Sequence, residues 1–315
     1  MTRTCFALMG PRGSCLDRGG VQSYVAVVAR NLCVLGGTGF LGVHVVRAAI
    51  EAGFDAVAVA RRPGPGSQGA RFALDVTDSG ALAHFLDEHD PSAVVNCAAL
   101  ARIADCDADP ELARSLNTVF PARIARLAGE RGIRLVHVST DLVYGARPAP
   151  PAGFAEADEP GPVSDYGRTK LAGELGARAA NPGVLVARLP LLCGDSGERG
   201  LGASDSVRTS VARGERPRLF VDEWRTPLDV ADAARALVEL AAGDLAGLLH
   251  LAGPARMTRH ELGLRALRAA GHARPEELVV GVRREGLHAG RPADVALDAR
   301  RARALLRTEL REPFA

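Results

Sequence analysis

Short apolar runs and amphipathic stretches alternate along most of this chain. Leu32-Cys33-Val34-Leu35, Ala56 to Ala60, Phe72-Ala73-Leu74, Ala93-Val94-Val95-Asn96, Leu135 to Ser139, Val184 to Arg188 and Leu248 to Ala252 have the length and content of buried strands. Between them lie stretches with helical periodicity. Val43 to Glu51 is one; another starts at the cap and first turn Asp109-Pro110-Glu111 and runs toward Arg131; a third, Val230 to Leu240, follows the cap Asp229. This alternation implies a parallel sheet covered by helices on both faces. It fails over residues 191–228 and again after 254, where Thr258-Arg259-His260-Glu261 makes a capping box for a helix to Ala270. The pattern therefore predicts one α/β domain from residues 32–190, completed by 229–253, and a smaller lobe from 191–228 and 254–315. Residues 1–31, with Gly10-Pro11-Arg12-Gly13 and Arg18-Gly19-Gly20, read as a disordered tail.

The junction of the first strand and helix is Gly36-Gly37-Thr38-Gly39-Phe40-Leu41-Gly42. Glycines there permit a tight turn, let backbone amides approach a pyrophosphate and bring the helix onto the strand, while the helix N-terminus favours the anion. The fold expected is a Rossmann-type doubly wound parallel sheet, with the smaller C-terminal lobe binding the substrate. The second strand ends in Arg61-Arg62, where a free ribose 2′-hydroxyl would call for Asp or Glu. Arginine suits a 2′-phosphate, which favours NADP(H) and leaves NAD(H) open. Asp75-Val76 closes the third strand where an adenine could be met, and Cys97, Ala98 and Ala99 leave room for a flat cofactor after the fourth.

Lys170 is the sole lysine among 39 basic residues, and it stands four residues after Tyr166, one of three tyrosines. On a helix these two share a face. An ammonium beside a phenol favours the phenolate and lowers its pKa, making the hydroxyl a proton donor to a carbonyl near neutral pH. Two loops complete the expected cleft. Pro/Gly-rich Arg147 to Pro162 would arch over it, and polar Gly194 to Ser206 would be a mobile loop that closes on a ligand.

The glycine loop, Asn96-Cys97-Ala98-Ala99, Ser139-Thr140-Asp141 and Tyr166-Gly167-Arg168-Thr169-Lys170 together resemble the extended short-chain dehydrogenase/reductases. Val221-Asp222-Glu223-Trp224-Arg225-Thr226-Pro227, and Arg291-Pro292 with Leu297-Asp298, point to the dTDP-4-dehydrorhamnose reductase-like branch. The resemblance spans about residues 32–307. It implies an NADP(H)-dependent reductase of a nucleotide-linked 4-keto-6-deoxysugar. Thr140 then holds the substrate carbonyl, Tyr166 donates the proton, and Lys170 holds the nicotinamide ribose and lowers the tyrosine pKa. Asp141, Trp224, Arg225 and Arg291 would contact substrate, the two arginines holding a diphosphate. After Arg188 this chain has Leu189-Pro190-Leu191-Leu192 where the rhamnose enzymes often place an aromatic residue, which leaves the particular sugar open. An epimerase or dehydratase on the same scaffold, and a non-catalytic dinucleotide-binding regulatory subunit, are the alternatives.

Composition sets limits. With 315 residues, 47% hydrophobic content and a net charge of +2, the chain can bury a full core and has no electrostatic reason to bind nucleic acid. Its longest tail run, Val25 to Ala29, is too short for a secretory or membrane-spanning segment. The cysteines at 5, 15, 33, 97, 106 and 193 show no metal-binding or paired spacing, so reduced thiols and a cytoplasmic setting are expected. A homodimer remains open. His137 and His250, each within a strand, read as packed and satisfied residues.

Overall fold

The computed structural model describes residues 30–62, 69–197, 199–284 and 290–314. Most of the expected tail lies outside the described residues; its last residue, Asn31, already belongs to the first strand. Seven parallel strands form the central sheet: β1 (Asn31–Leu35), β2 (Asp55–Ala60), β3 (Ala70–Ala73), β4 (Ala93–Asn96), β5 (Arg134–Thr140), β6 (Leu185–Leu189) and β7 (Gly247–His250). Their spatial order is β7-β6-β5-β4-β1-β2-β3. Leu35 pairs with Val59 of β2 and Asn96 of β4, so the carboxyl ends of these strands are level. The order reverses between β1 and β4, which opens a crevice beyond those ends.

The helices of ten residues or more are α1 (Phe40–Glu51), α2 (Ser79–His89), α3 (Phe120–Glu130), α4 (Asp165–Ala180), α5 (Ala203–Ala212), α6 (Val230–Ala242) and α7 (Arg259–Ala269). Strand side chains alternate between faces, and the two cores follow. Leu32 and Val34 of β1 pack with Val45 and Val46 of α1 and Ala233 and Leu237 of α6. Cys33 and Leu35 pack instead with Phe85 of α2, Ile124 of α3 and Ala177 of α4. Burial on both faces explains why the strand sequences read as continuous apolar runs. Asp229 accepts from the amides of Ala231 and Asp232, and Thr258 and Glu261 form the reciprocal capping box.

Three stretches differ from the sequence expectation. The helix starting at Asp109 is interrupted by a π-helical turn at Ser115–Val119. There Asn117, fully buried, accepts from the amide of Leu100 at 2.9 Å and donates to Thr169 Oγ1 at 3.3 Å. The loop from Arg147 to Pro162 does not arch free over the cleft. Its one large apolar residue, Phe154, is fully buried and stacked on Tyr144 at 4.1 Å, and its backbone pairs with Ala296 and Asp298 at 2.7 and 2.8 Å. The stretch Gly194 to Ser206 is largely bonded to itself and to buried Asp205, and α5 begins inside it. Short two-stranded ladders, Leu192–Cys193 with Leu228–Asp229, Trp224–Arg225 with Met257–Thr258, and Arg218–Phe220 with Val280–Val282, build the smaller lobe.

Candidate active site

The glycine loop turns as its residue types require. Gly36 has φ +78°, and a Cβ on Gly42 would stand 2.1 Å from Gly36 O, so the strand and helix meet only without a side chain there. Among the described residues no side chain caps α1 at Gly39, which leaves its first amides to an anion. A cavity of about 540 Å³ opens against this turn. Gly36, Thr38, Gly39, Arg61, Arg62, Val76, Ala98 and Ala99 line it, as does Cys97. Phe40, Leu41 and Gly42 form the first turn of α1 behind that wall. Asp75 departs from expectation. Its carboxylate accepts from Thr77 N and Oγ1 at 2.9 and 2.7 Å, and Leu74 and Val76 face the cavity instead. These bonds to Thr77, with a smaller effect of Arg61, hold the Asp75 carboxyl below its ordinary pKa.

The proton-transfer residues sit together outside the lining of that cavity, with Cys97 of its wall close to Lys170. Thr140 ends β5 and caps the turn Asp141–Val143, with Leu142 N at 3.2 Å from its hydroxyl. Ser164 caps α4 by accepting from Gly167 N at 3.1 Å, which sets Tyr166 and Lys170 on the first two turns. Tyr166 is 8% exposed and lies near enough to Thr140 to feel its hydroxyl; Lys170 is 2% exposed and donates to Val138 O at 2.7 Å. The expected electrostatic coupling of these two is not what the structure has. Burial raises the phenol above its ordinary pKa, Thr140 opposes this, and Asp141 and Cys106 add to it; Lys170 is not among the influences. The ammonium is turned to Val138 O, where burial lowers it to about 8 against the pull of Glu174. Cys97, on the cavity wall, is close enough to Lys170 for that charge to oppose the burial that pushes its thiol to about 12.

Beneath Lys170 lies a buried polar cluster. Arg188, on β6, grips Glu174 with Nε at 3.0 Å and Nη2 at 2.6 Å, and donates to Tyr144 OH at 2.6 Å; Ser139 also donates to Glu174. Glu174 follows Lys170 by one helical turn, and Arg188 is a charge inside an apolar run, so the signals for both were present in the sequence. His250 is satisfied, with Phe154 O at 3.0 Å and Tyr144 OH at 3.3 Å. His137 is only half so: Nδ1 pairs with Asn96 at 3.1 Å, while its buried Nε2 has no partner among the described residues. Burial, then Lys170, holds it far below its ordinary pKa and therefore neutral.

Arg225 and Arg291 do converge, but on a carboxylate of the chain itself. Arg225 is 3% exposed, donates to Glu223 Oε1 at 3.1 Å and stands 3.4 Å from Asp141. Arg291, with its side chain 27% exposed, takes both Glu223 oxygens at 2.9 and 3.0 Å. Burial opposes ionisation of Glu223, yet Arg225 and Arg291 outweigh it and lower its pKa. Asp141, adjoining Thr140, is raised to about 6 by burial, with Arg225 resisting. Trp224 sits beside Arg225 with Arg256 5.0 Å over its ring. Arg225 thus bridges Thr140's neighbour to the smaller lobe.

A model of the RmlD substrate binding domain matches residues 30–313. The dTDP-4-dehydrorhamnose reductase of Mycolicibacterium smegmatis is 33% identical over 245 residues, 76% of this chain and 72% of that protein. Methionine adenosyltransferase 2 subunit beta of Rattus norvegicus is 29% identical over 278 residues, 84% of this chain and 81% of that one. The crystal structure of a dTDP-4-dehydrorhamnose reductase from Bacillus anthracis in complex with NADP has a TM-score of 0.77 at 21% identity, covering 90% of this chain and 94% of the other.

Proposed function

Since this chain belongs to the RmlD substrate binding domain family, we propose that it is an NADP(H)-dependent reductase of a nucleotide-linked 4-keto-6-deoxysugar. The observation that carries the reading is the intact set Thr140, Tyr166 and Lys170 beside a cleft with a glycine turn on one side and Arg61 and Arg62 on another. The cradle fits a dinucleotide: the turn has no room for side chains at Gly36, Gly37 and Gly42, α1 is uncapped, and both arginines are exposed at the end of β2. When bound, the nicotinamide supplies the hydride that reduces the keto carbon. Tyr166 supplies the proton to the carbonyl oxygen. A phenol held above its ordinary pKa by burial keeps that proton until negative charge develops on the oxygen, which suits the reductive direction. Thr140, whose hydroxyl lies near Tyr166, fixes the carbonyl oxygen near the phenol. Lys170 provides a desolvated cation for the ribose. Arg291, the least buried of the three arginines around Glu223, keeps Nη1 free of hydrogen bonds to the described residues and able to meet a diphosphate.

The likeness to a methionine adenosyltransferase subunit favours a second reading, a dinucleotide-binding regulatory subunit without turnover. One assay separates the two. Purified protein with NADPH and a panel of nucleotide-linked 4-keto-6-deoxysugars should show loss of the reduced-nicotinamide absorbance and formation of the alcohol. NADPH binding without turnover on any sugar would favour the regulatory reading; a rearranged or dehydrated product with no net cofactor consumption would make the protein an epimerase or dehydratase. Among the described residues no helix is long and apolar enough to cross a membrane.

A further inference from the structure

The segment after the Leu192–Cys193 strand leaves the smaller lobe and lies against the glycine turn. Three contacts fasten it there. Arg199 Nη1 donates to Thr38 O at 3.0 Å, His44 Nε2 on α1 donates to Asp195 O at 3.0 Å, and Gly202 packs on the Phe40 ring, where a Cβ would come within 2.7 Å of Cζ. The segment is built rather than draped. Asp205, 3% exposed, accepts from Ser196 Oγ and from Gly200 N, while Ser196 Oγ in turn accepts from Leu201 N at 3.2 Å. Arg199 Nε is bonded to Ser196 O at 2.8 Å, which orients the guanidinium before any ligand arrives. Thr38, its other partner, is a wall residue of the 540 Å³ cavity and immediately precedes the N-cap of α1. Nη2 makes no hydrogen bond to the described residues, so a donor pair and a full positive charge are held at the mouth of an uncapped helix N-terminus.

We propose that Arg199 is a cofactor-binding residue that pairs with the pyrophosphate of the dinucleotide, and that through it the smaller lobe clamps the cofactor in place. The inference rests on the dinucleotide reading of the cleft and adds a residue to it. Backbone amides and the helix dipole supply only partial charges to a pyrophosphate, and neither Arg61 nor Arg62, on the far side of the turn, is placed by sequence logic for anything but the 2′-phosphate. A guanidinium restrained by two carbonyls gives a charge-assisted bond with little further loss of side-chain freedom. Because its anchor is Asp205 in the smaller lobe, cofactor binding and the position of that lobe are linked.

Four ligands resolve the assignment by equilibrium titration: NADPH, NADH, ADP-ribose and adenosine 2′-monophosphate. The first three carry a pyrophosphate and the last does not. Arg199→Ala should weaken the first three alike, by about tenfold, the effect of one lost charge-assisted hydrogen bond, and leave the last unchanged. Arg199→Gln, whose amide nitrogen stands where Nε does and can still donate to Ser196 O, should show the same loss, which separates the charge from that part of the loop's fastening. Parental affinities in Arg199→Ala, or their recovery in Arg199→Gln, would overturn the assignment while leaving the cleft a dinucleotide site. If the parent binds none of the four ligands, the reading of the cleft falls and Arg199's role with it.

Discussion

Lys170 gives the sharpest physical test, because its burial has a measurable consequence independent of catalysis. Lys170→Met keeps the length of the side chain and removes the charge. The ammonium's pKa drops from an ordinary 10.5 to about 8, so at roughly 1.4 kcal/mol per pH unit its charged form is disfavoured by about 3 kcal/mol in the folded protein. Against that, the variant leaves Val138 O without its donor at 2.7 Å, a loss of about 1–3 kcal/mol. The two nearly cancel at neutral pH, and stability there decides little. The pH dependence decides more. Between 8 and 10.5 the unfolded lysine holds a proton that the folded one has released, so the parent's unfolding free energy rises with pH through that window. The methionine variant lacks this contribution. Urea unfolding of both proteins at about pH 7.5, 9 and 10.5 should therefore show the difference moving by about 3 kcal/mol in the parent's favour. A difference that stays flat across the window would mean that the ammonium is solvated, and the account of the site would fail.

Other expected outcomes concern neighbouring residues. Tyr166→Phe should lower turnover by about 10²–10⁴-fold while sparing NADPH affinity, read by steady-state kinetics and fluorescence titration; joint loss of both would give Tyr166 a structural role. Replacing Arg61 and Arg62 with Ala should weaken NADPH about tenfold or more relative to NADH. Equal parental affinities for the two cofactors would refute that assignment. Arg225→Ala leaves Asp141 and Glu223 facing each other without the cation between them, and should lower the unfolding free energy by about 3–5 kcal/mol in a denaturant titration. Arg291→Ala should keep the fold and raise KM for the nucleotide sugar; an unchanged KM would remove Arg291 from the substrate site.

The sheet was legible because its strands are buried on both faces, so Leu32 to Leu35 or Ala93 to Asn96 needed no alternation to stand out. The caps at Asp229 and Thr258 were legible because their chemistry is local. Tyr166 and Lys170 could be placed on one helix face by spacing alone, but not their electrostatics. Whether an ammonium turns to a phenol or to a strand carbonyl depends on Val138, 32 residues away in the chain. The same limit applies to Arg225. Its type suggested an anion site, whereas its surroundings, Glu223 and Asp141, make it the centre of an internal ion cluster. The π-turn at Asn117 has no local signature, since inserting one residue into a helix leaves its composition unchanged. Arg199 was hidden for a simpler reason: it is one of 38 arginines, and only the path of the backbone brings it to Thr38.

The way β7 completes the sheet bears on how the chain can be made. The polypeptide leaves the sheet at Leu189 and returns at Gly247. A ribosome needs roughly 3–12 s to cover that interval, and until it has done so β6 has an open edge. α6, which shares its core with α1, also emerges only within this interval, so the apolar side of α1 stays uncovered for the same time. Folding of the nucleotide-binding half is therefore held back until the first segment of the smaller lobe, residues 191–228, has been synthesised. A chain cut at residue 190 would keep the glycine turn, Tyr166 and Lys170, yet lack the pieces that close the sheet around them. Exchanging the smaller lobe between relatives, for example to alter substrate choice, demands that β7 and α6 stay with the recipient and that two separate segments be grafted around them.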